Sequence, residues 1–372
     1  MLKAPEKKIR VLVADDSAFM CKVLKEIINS DAQLEVAGTA RDGREAVALA
    51  ESLRPDVITM DINMPHLDGL QATELIMSLH PRPVVIVSSE SREGAASTLR
   101  ALELGAIDFV PKPTNGIDLD MRNIREELTR KLKMAAKVRV VRTATMSKLT
   151  AHAPVTVASA LANNAQHAAS NGTKFPLVVI AASTGGPAAV MRVVAGLPKD
   201  LQAAVLLVLH MPAAFTSQFT IQLAEISRMP VKEAESHEAP QPGVIYLCPG
   251  ANHLRISSTG KITLDGGPCI EGYRPCADVA LESAAAFARP LTLAVVLTGM
   301  GNDASKGVQA VKAAGGHVIV QDEATSVIFG MPAEAIKTGS VDEILPLDQI
   351  GAAIEKRIAK ITRLAPAPTG AR

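Results

Sequence analysis

The sequence predicts two α/β domains in tandem, and three observations carry that expectation. Short uncharged apolar runs alternate with segments of helical spacing, first over Met1 to about Met134 and again over about Phe175 to Ile361. The stretch between them is rich in Ala, Thr, Ser and Asn and has little apolar periodicity. At 372 residues the chain is long for one ordinary domain and suits two.

Composition narrows the function classes. With 39 Lys and Arg against 38 Asp and Glu, the formal charge of +1 gives no global field toward nucleic acid or anionic lipid. Aromatics are 2% of residues and Trp is absent, which leaves few platforms for stacking bases, so nucleic acid is not an expected partner. Cys21, Cys248, Cys269 and Cys276 form no CxxC pair, and the His residues lack metal-ligand spacing. No run approaches the roughly 20 apolar residues that cross a bilayer, and the N-terminal apolar run is too short for a signal peptide. The expectation is a cytoplasmic protein with reduced thiols and no direct membrane insertion.

In the first half the strands are expected at Ile9 to Ala14, Leu34 to Ala40, Asp56 to Met60, Pro83 to Val87 and Ala106 to Val110. Helices are expected to include Gly43 to Ser52 and Leu99 to Leu104, giving βα repeated five times and a parallel sheet covered on both faces. The carboxyl ends of strands one, three, four and five carry Asp15 and Asp16, Asp61, Ser88 and Lys112. Single Asp residues at strand ends are usually solvated turn residues. Carboxylates that converge repel unless a cation holds them, however, and such an oxygen-rich site suits Mg²⁺. A carboxylate beside a metal and a Lys can accept a phosphoryl group. With the MDINMPHLDGL and PKP motifs at these spacings, this half resembles the receiver domain of bacterial two-component response regulators. The resemblance implies a flavodoxin-like five-stranded fold, Asp61 as phosphoacceptor, and Asp15 and Asp16 as the acidic Mg²⁺ pair. It also implies Ser88 as hydroxyl switch residue, Phe109 as aromatic switch residue, Lys112 as phosphate-contacting lysine, and a histidine kinase as phosphodonor.

Met121, Ile124, Leu128 and Leu132 share a helical face that should run to about Val138. A linker is expected over residues 135–174, and its basic residues suit a solvated face or an acidic partner.

The second half opens on Leu177 to Pro187, an uncharged strand that runs into Ser183, Thr184 and a Gly-Gly-Pro turn, with a helix expected over Pro187 to Leu197. On this stretch alone Ser183 is either a nucleophile or a helix N-cap, the role Ser fills routinely. Further strands are expected at Ala203 to Leu209, Val244 to Leu247, Thr292 to Leu297 and His317 to Val320. A hairpin is expected at Leu254 to Ser257 with Lys261 to Leu264, and helices at Ala277 to Ala288 and Asp303 to Ala314. Three strands thus end near Ser183, His210 and Asp303. Acyl hydrolysis needs a nucleophile, a base and a carboxylate that orients the base, in any chain order. A lone His in such a turn is more often a buried, satisfied side chain. The GxSxG elbow is absent because Ala181 holds its first Gly position, and the GxGxxG of dinucleotide sites is absent too.

The motifs ASTGGP, HMP, LTGMGND and QDEATSVIFGMPAEA, in this order behind a receiver, resemble the chemotaxis protein-glutamate methylesterase family (CheB). That resemblance implies a doubly wound α/β methylesterase domain over residues 175–361, with residues 362–372 a disordered tail. It implies Ser183 as nucleophile, His210 as general base and acid, Asp303 as the residue orienting it, Met300 N–H as oxyanion donor and Thr184 as support. No cofactor would be needed for ester hydrolysis. The implied reaction is phosphorylation-gated hydrolysis of γ-glutamyl methyl esters on chemoreceptors, releasing methanol, with receptor glutamine deamidation open to the same chemistry. The chain departs from the family pattern at Ala181, Leu209, Ala304 and, where HRPSVD is usual, at Tyr273, Cys276 and Ala277, none of which removes a reacting group.

Overall fold

Runs of Val, Ile, Leu and Ala without charge become strands buried on both faces, the environment a parallel sheet provides. The computed structural model describes residues 7–89, 91–112, 118–138 and 175–364. The chain divides into two units, Met1–Ser147 and Lys148–Arg372.

The first unit holds β1 (Ile9–Ala14), β2 (Leu34–Ala40), β3 (Val57–Met60), β4 (Val84–Ser88) and β5 (Asp108–Pro111). They pair in parallel in the order β2-β1-β3-β4-β5. Around them pack α1 (Ala18–Asn29), α2 (Gly43–Leu53), α3 (Gly69–Leu79), α4 (Arg92–Glu103) and α5 (Asp118–Ala135). Polar side chains start four of these helices: the Ser17 hydroxyl accepts from Met20 N–H, Asp42 from Glu45 N–H and Ser91 from Gly94 N–H. Asp68 and Gln71 form a reciprocal capping box. The Ser91 cap explains why α4 begins well before the expected Leu99. Helix α5 ends at Ala135, short of Val138, with Leu128 and Leu132 fully buried on its inner face. The expected linker lies outside the described residues from 139 to 174.

The second unit has a seven-stranded sheet, all parallel, in the order β14-β13-β12-β6-β7-β9-β8. Its strands are β6 (Leu177–Ala182), β7 (Ala204–Leu209), β8 (Val231–Glu233), β9 (Ile245–Leu247), β12 (Thr292–Val296), β13 (His317–Gln321) and β14 (Glu343–Leu345). The antiparallel hairpin β10 (His253–Ile256) and β11 (Ile262–Asp265) stands apart from that sheet. The helices are α6 (Gly186–Ala195), α7 (Ala213–Ile226), α8 (Ala277–Ala288), α9 (Ser305–Ala313), α10 (Met331–Lys337) and α11 (Leu347–Leu364). Helix α11 extends to Leu364, three residues into the expected tail, and residues 365–372 lie outside the described residues.

In both sheets the chain leaves a central strand to one side and returns on the other. The first sheet switches between β1 and β3, the second at β6, flanked by β7 and β12. Such a switch leaves a crevice beyond the carboxyl ends of the strands, because the connecting helices diverge there.

Helices α8 and α9 approach closely where Gly307 faces Leu281: a Cβ on Gly307 would lie 2.5 Å from the Leu281 Cβ. Substituting Gly307→Val forces these helices apart and should destabilise the second unit by about 1–3 kcal/mol, read as a lower urea midpoint.

Candidate functional site

Two clusters occupy the two crevices. In the first unit, Asp15 follows directly on β1 and is fully buried, Asp16 is exposed, and Asp61 follows β3 with 4% exposure. Ligand oxygens of these three carboxylates lie within 4.8 Å of one another. Lys112, just past β5, places its ammonium 2.9 Å from Asp61 Oδ2 and 3.0 Å from Asp15 Oδ2. Asp15 Oδ2 is nonetheless a buried oxygen without a hydrogen bond, since the ammonium is near but not aligned. Burial raises the Asp61 carboxyl above its ordinary range, and the Lys112 hydrogen bond and charge offset this only in part. Burial would lower the Lys112 ammonium, but Asp61 and Asp15 outweigh it and hold it raised. An orphaned buried carboxylate oxygen between two further carboxylates fits a hard divalent cation such as Mg²⁺.

Ser88 is buried at the end of β4, its hydroxyl 3.4 Å from the Gly94 carbonyl. Phe109 is buried too, its ring 5.1 Å from the Lys131 ammonium. Lys131 donates to Asp108 Oδ1 at 3.0 Å and to the Phe109 carbonyl at 2.5 Å. No sequence signal marked Lys131 as Phe109's partner, because the contact spans 22 residues.

In the second unit Ser183 follows the fully buried β6, and its N–H donates to Thr298 O at 3.1 Å. The N-cap of α6 is Gly185, at φ 73°, with no side chain capping the helix. Ser183 is therefore not the cap: the turn is made by a glycine that reaches a left-handed conformation at no steric cost. The first N–H of the helix, that of Gly186, donates to the Ser183 carbonyl at 2.6 Å. Thr184 is buried, and its carbonyl accepts from the Thr298 hydroxyl at 3.0 Å.

His210 follows β7. Its Nε2 lies 2.8 Å from Asp303 Oδ2, while its Nδ1 is buried without a hydrogen bond, so neither ring nitrogen bonds Ser183 in this state. Asp303 is 2% exposed and heavily bonded. Its Oδ1 accepts from the Cys276 thiol at 3.2 Å, Asp278 N–H at 2.9 Å and Ala304 N–H at 2.9 Å. Its Oδ2 accepts from Ala277 N–H at 2.6 Å. Ala277 and Asp278 open helix α8, whose cap position, Cys276, makes no side-chain cap. Asp303 thus supplies that helix with its N-terminal anion from elsewhere in the chain. Burial by itself would raise the Asp303 carboxyl, but the His210 hydrogen bond and charge and these N–H donors bring it down to about 2. Beside it burial pushes Asp278 up to about 6, against a hydrogen bond from Gly307 N–H. Burial and the Asp303 charge push the Cys276 thiol up to about 12. Cys276, Asp278 and Asp303 are close enough to hold an ion, but the thiol is a proton donor here and the Asp303 oxygens are already occupied.

The turn carrying Met300 is clamped from outside. Gly299 O accepts from Gly330 N–H at 3.1 Å and Met331 N–H at 2.8 Å, and Thr298 N–H donates to the buried Gln321 Oε1 at 2.7 Å. Gln321 and Gly330 belong to the QDEATSVIFGMPAEA motif, to which sequence reasoning attached no role. A buried amide at a strand end, with a Gly-Met-Pro turn nine residues on, was the available signal. Tyr273 was missed as well: its ring stacks on His210 with centroids 4.4 Å apart and planes 19° apart. Of the family departures, Ala181 and Leu209 are buried in their strands. Ala304 takes φ 79°, a conformation glycine adopts more easily.

Residues 11–124 match the family described as response regulator receiver domain, and residues 178–354 the family described as CheB methylesterase. The chain is 43% identical over 365 residues to a protein-glutamate methylesterase/protein-glutamine glutaminase of Pyrococcus horikoshii, spanning 95% of this chain and 94% of that protein. A protein of the same name from Symbiobacterium thermophilum is 43% identical over 358 residues, spanning 95% of this chain and 98% of the relative. Among the described residues no helix is long and apolar enough to cross a membrane.

The depressed Asp303 carboxyl makes stability depend on pH. Its folded value of about 2 lies below the ordinary 3.8, so its contribution is fully present above pH 4 and is lost as pH falls toward 2. The stability difference between the native chain and Asp303→Asn should therefore shrink by about 2 kcal/mol between pH 6 and pH 2, measured by urea unfolding.

Proposed function

The chain belongs to the CheB methylesterase family and carries a response-regulator receiver domain ahead of the catalytic one; from that premise we propose that it is a phosphorylation-activated serine hydrolase. Its substrates are γ-glutamyl methyl esters of chemoreceptors, hydrolysed in the cytoplasm to glutamate side chains that stay on the receptor, with methanol released, in chemotaxis adaptation. The observation that carries the reading is the His210–Asp303 pair, 2.8 Å apart, with Asp303 buried and the His210 backbone N–H bonded to the last residue of β6.

In this reading Ser183 Oγ attacks the ester carbonyl while His210 takes its proton. Asp303 occupies Nε2, so Nδ1 is the nitrogen left for the proton, and its lack of a hydrogen bond in the free site supports this. Asp303 stays ionised at any working pH and stabilises the imidazolium that forms. The tetrahedral oxyanion falls to the Met300 N–H, on a turn that Gln321, Gly330 and Met331 hold rigid before substrate arrives. Thr184 supports the same turn through Thr298. Collapse expels the methoxy group, which takes the proton from His210 and leaves as methanol. Water then adds to the acyl-serine by the reverse sequence and frees Ser183. A primary amide can enter the same sequence with ammonia as leaving group, which would make receptor glutamines substrates too.

In the receiver, Asp15, Asp16 and Asp61 would hold Mg²⁺, which when bound neutralises phosphoryl oxygen charge. Asp61 accepts the phosphoryl group from a chemotaxis histidine kinase, Lys112 contacts it, and Ser88 and Phe109 respond to it.

Methanol release from a methylated receptor fragment tests both halves. Ser183→Ala should lose at least about 10³-fold in kcat with an unchanged unfolding midpoint; a variant retaining a tenth of the rate would sink the nucleophile assignment. A small phosphodonor with Mg²⁺ should raise turnover of the native chain, and Asp61→Asn should abolish that stimulation; equal rates with and without phosphodonor would sink the switching assignment.

A further inference from the structure

Between β11 and α8 the chain makes a loop cinched at several points. Arg274 Nη1 donates to the carbonyls of Gly266 at 3.1 Å and Gly267 at 2.7 Å, closing the loop on itself. Ile270 and Tyr273 exchange backbone N–H···O bonds, each 3.0 Å. Outside the loop, His253 Nε2 bonds the Pro268 carbonyl at 3.1 Å, and Lys306 of α9 pairs with Glu271. The one aromatic side chain this loop carries is Tyr273, half-buried and laid on the His210 ring. The far end of Tyr273 rests on Gly301: a Cβ there would fall 1.9 Å from its hydroxyl oxygen. Tyr273 thus spans from the imidazole to the turn that bears Met300.

We propose that Tyr273 is a positioning residue that fixes the plane of His210 and so aims Nδ1 at Ser183, an assignment that rests on the hydrolase reading above. The hydrogen bond to Asp303 fixes one ring nitrogen, but a single bond leaves the imidazole free to swing about that point. A face stacked at 4.4 Å removes the swing. The same face is the one an imidazolium presents after taking the Ser183 proton, and an aromatic ring favours a cation over its π-surface. Around His210, Asp303 holds Nε2, Cys276 and the start of α8 hold Asp303, and Tyr273 holds the plane. Holding a base in orientation is worth up to about 100-fold in rate when a displacement of about 1 Å is avoided.

The experiment compares Tyr273→Phe, Tyr273→Leu and Tyr273→Met in the full chain, by methanol release and by proton NMR of His210. The stack is made by the ring, so Phe should keep most of kcat. Leu and Met should each lose about tenfold or more in kcat, with KM changed less than about threefold and unfolding midpoints near the native one. The His210 Cε1–H resonance, shifted by the tyrosine ring current, should move on Tyr273→Leu and stay on Tyr273→Phe. A Leu variant with kcat within twofold of native, or a His210 resonance indifferent to the ring, would overturn the assignment. Persistent turnover in Ser183→Ala would instead bring down the hydrolase reading itself, so the two failures are told apart.

Discussion

The second unit depends on one carboxylate. Asp303 is buried, yet it stays ionised because three backbone N–H groups, a thiol and an imidazole surround it. A buried charge this well bonded is costly to disturb, since loss of any one partner leaves it undercompensated in a low-dielectric setting. Its partners come from one strand end, one helix start and its own turn, which follows β12, so β7, β12 and α8 are held to one another through a single side chain. That assembly also anchors one nitrogen of the His210 ring.

Both units use the same architectural rule with different chemistry. A parallel sheet gathers strand ends on one edge, and a switch in strand order opens that edge into a crevice. In the first unit the edge collects carboxylates and an ammonium, with Asp15 and Asp61 answered by Lys112. In the second it collects a hydroxyl, an imidazole and a carboxylate. Helices of the first unit are capped by their own Ser and Asp side chains. Those that begin beside the second crevice have no side-chain caps of their own, which leaves N–H groups for Asp303 and for the crevice.

Much of this was legible in the residues. Strands Ile9–Ala14, Leu34–Ala40 and Leu177–Ala182 and helix Ala277–Ala288 fall where the apolar runs put them, because charged or turn-forming residues bound each run sharply. The position of Asp15 follows from the first of those boundaries, and those of Asp61 and His210 from the ends of β3 and β7, whereas Asp303 lies in the turn beyond β12. Strands Val231–Glu233 and Glu343–Leu345 did not show, since three residues carry no periodicity and owe their state to a neighbouring strand. The cap of α6 was ambiguous because a Ser and a left-handed Gly two residues apart satisfy the same sequence signal. Tyr273 was invisible for another reason. Its contact with His210 is created by a loop closed through Arg274 and His253, and no local spacing reports a closure made by backbone carbonyls.

Asp303 also caps α8, and this ties the timing of activity to the timing of assembly. Until the first turn of α8 seats Ala277 and Asp278 against that carboxylate, Asp303 lacks two of the N–H donors that hold it in place for His210. A chain frayed at that turn therefore loosens the His210–Asp303 pair even with its sheet intact.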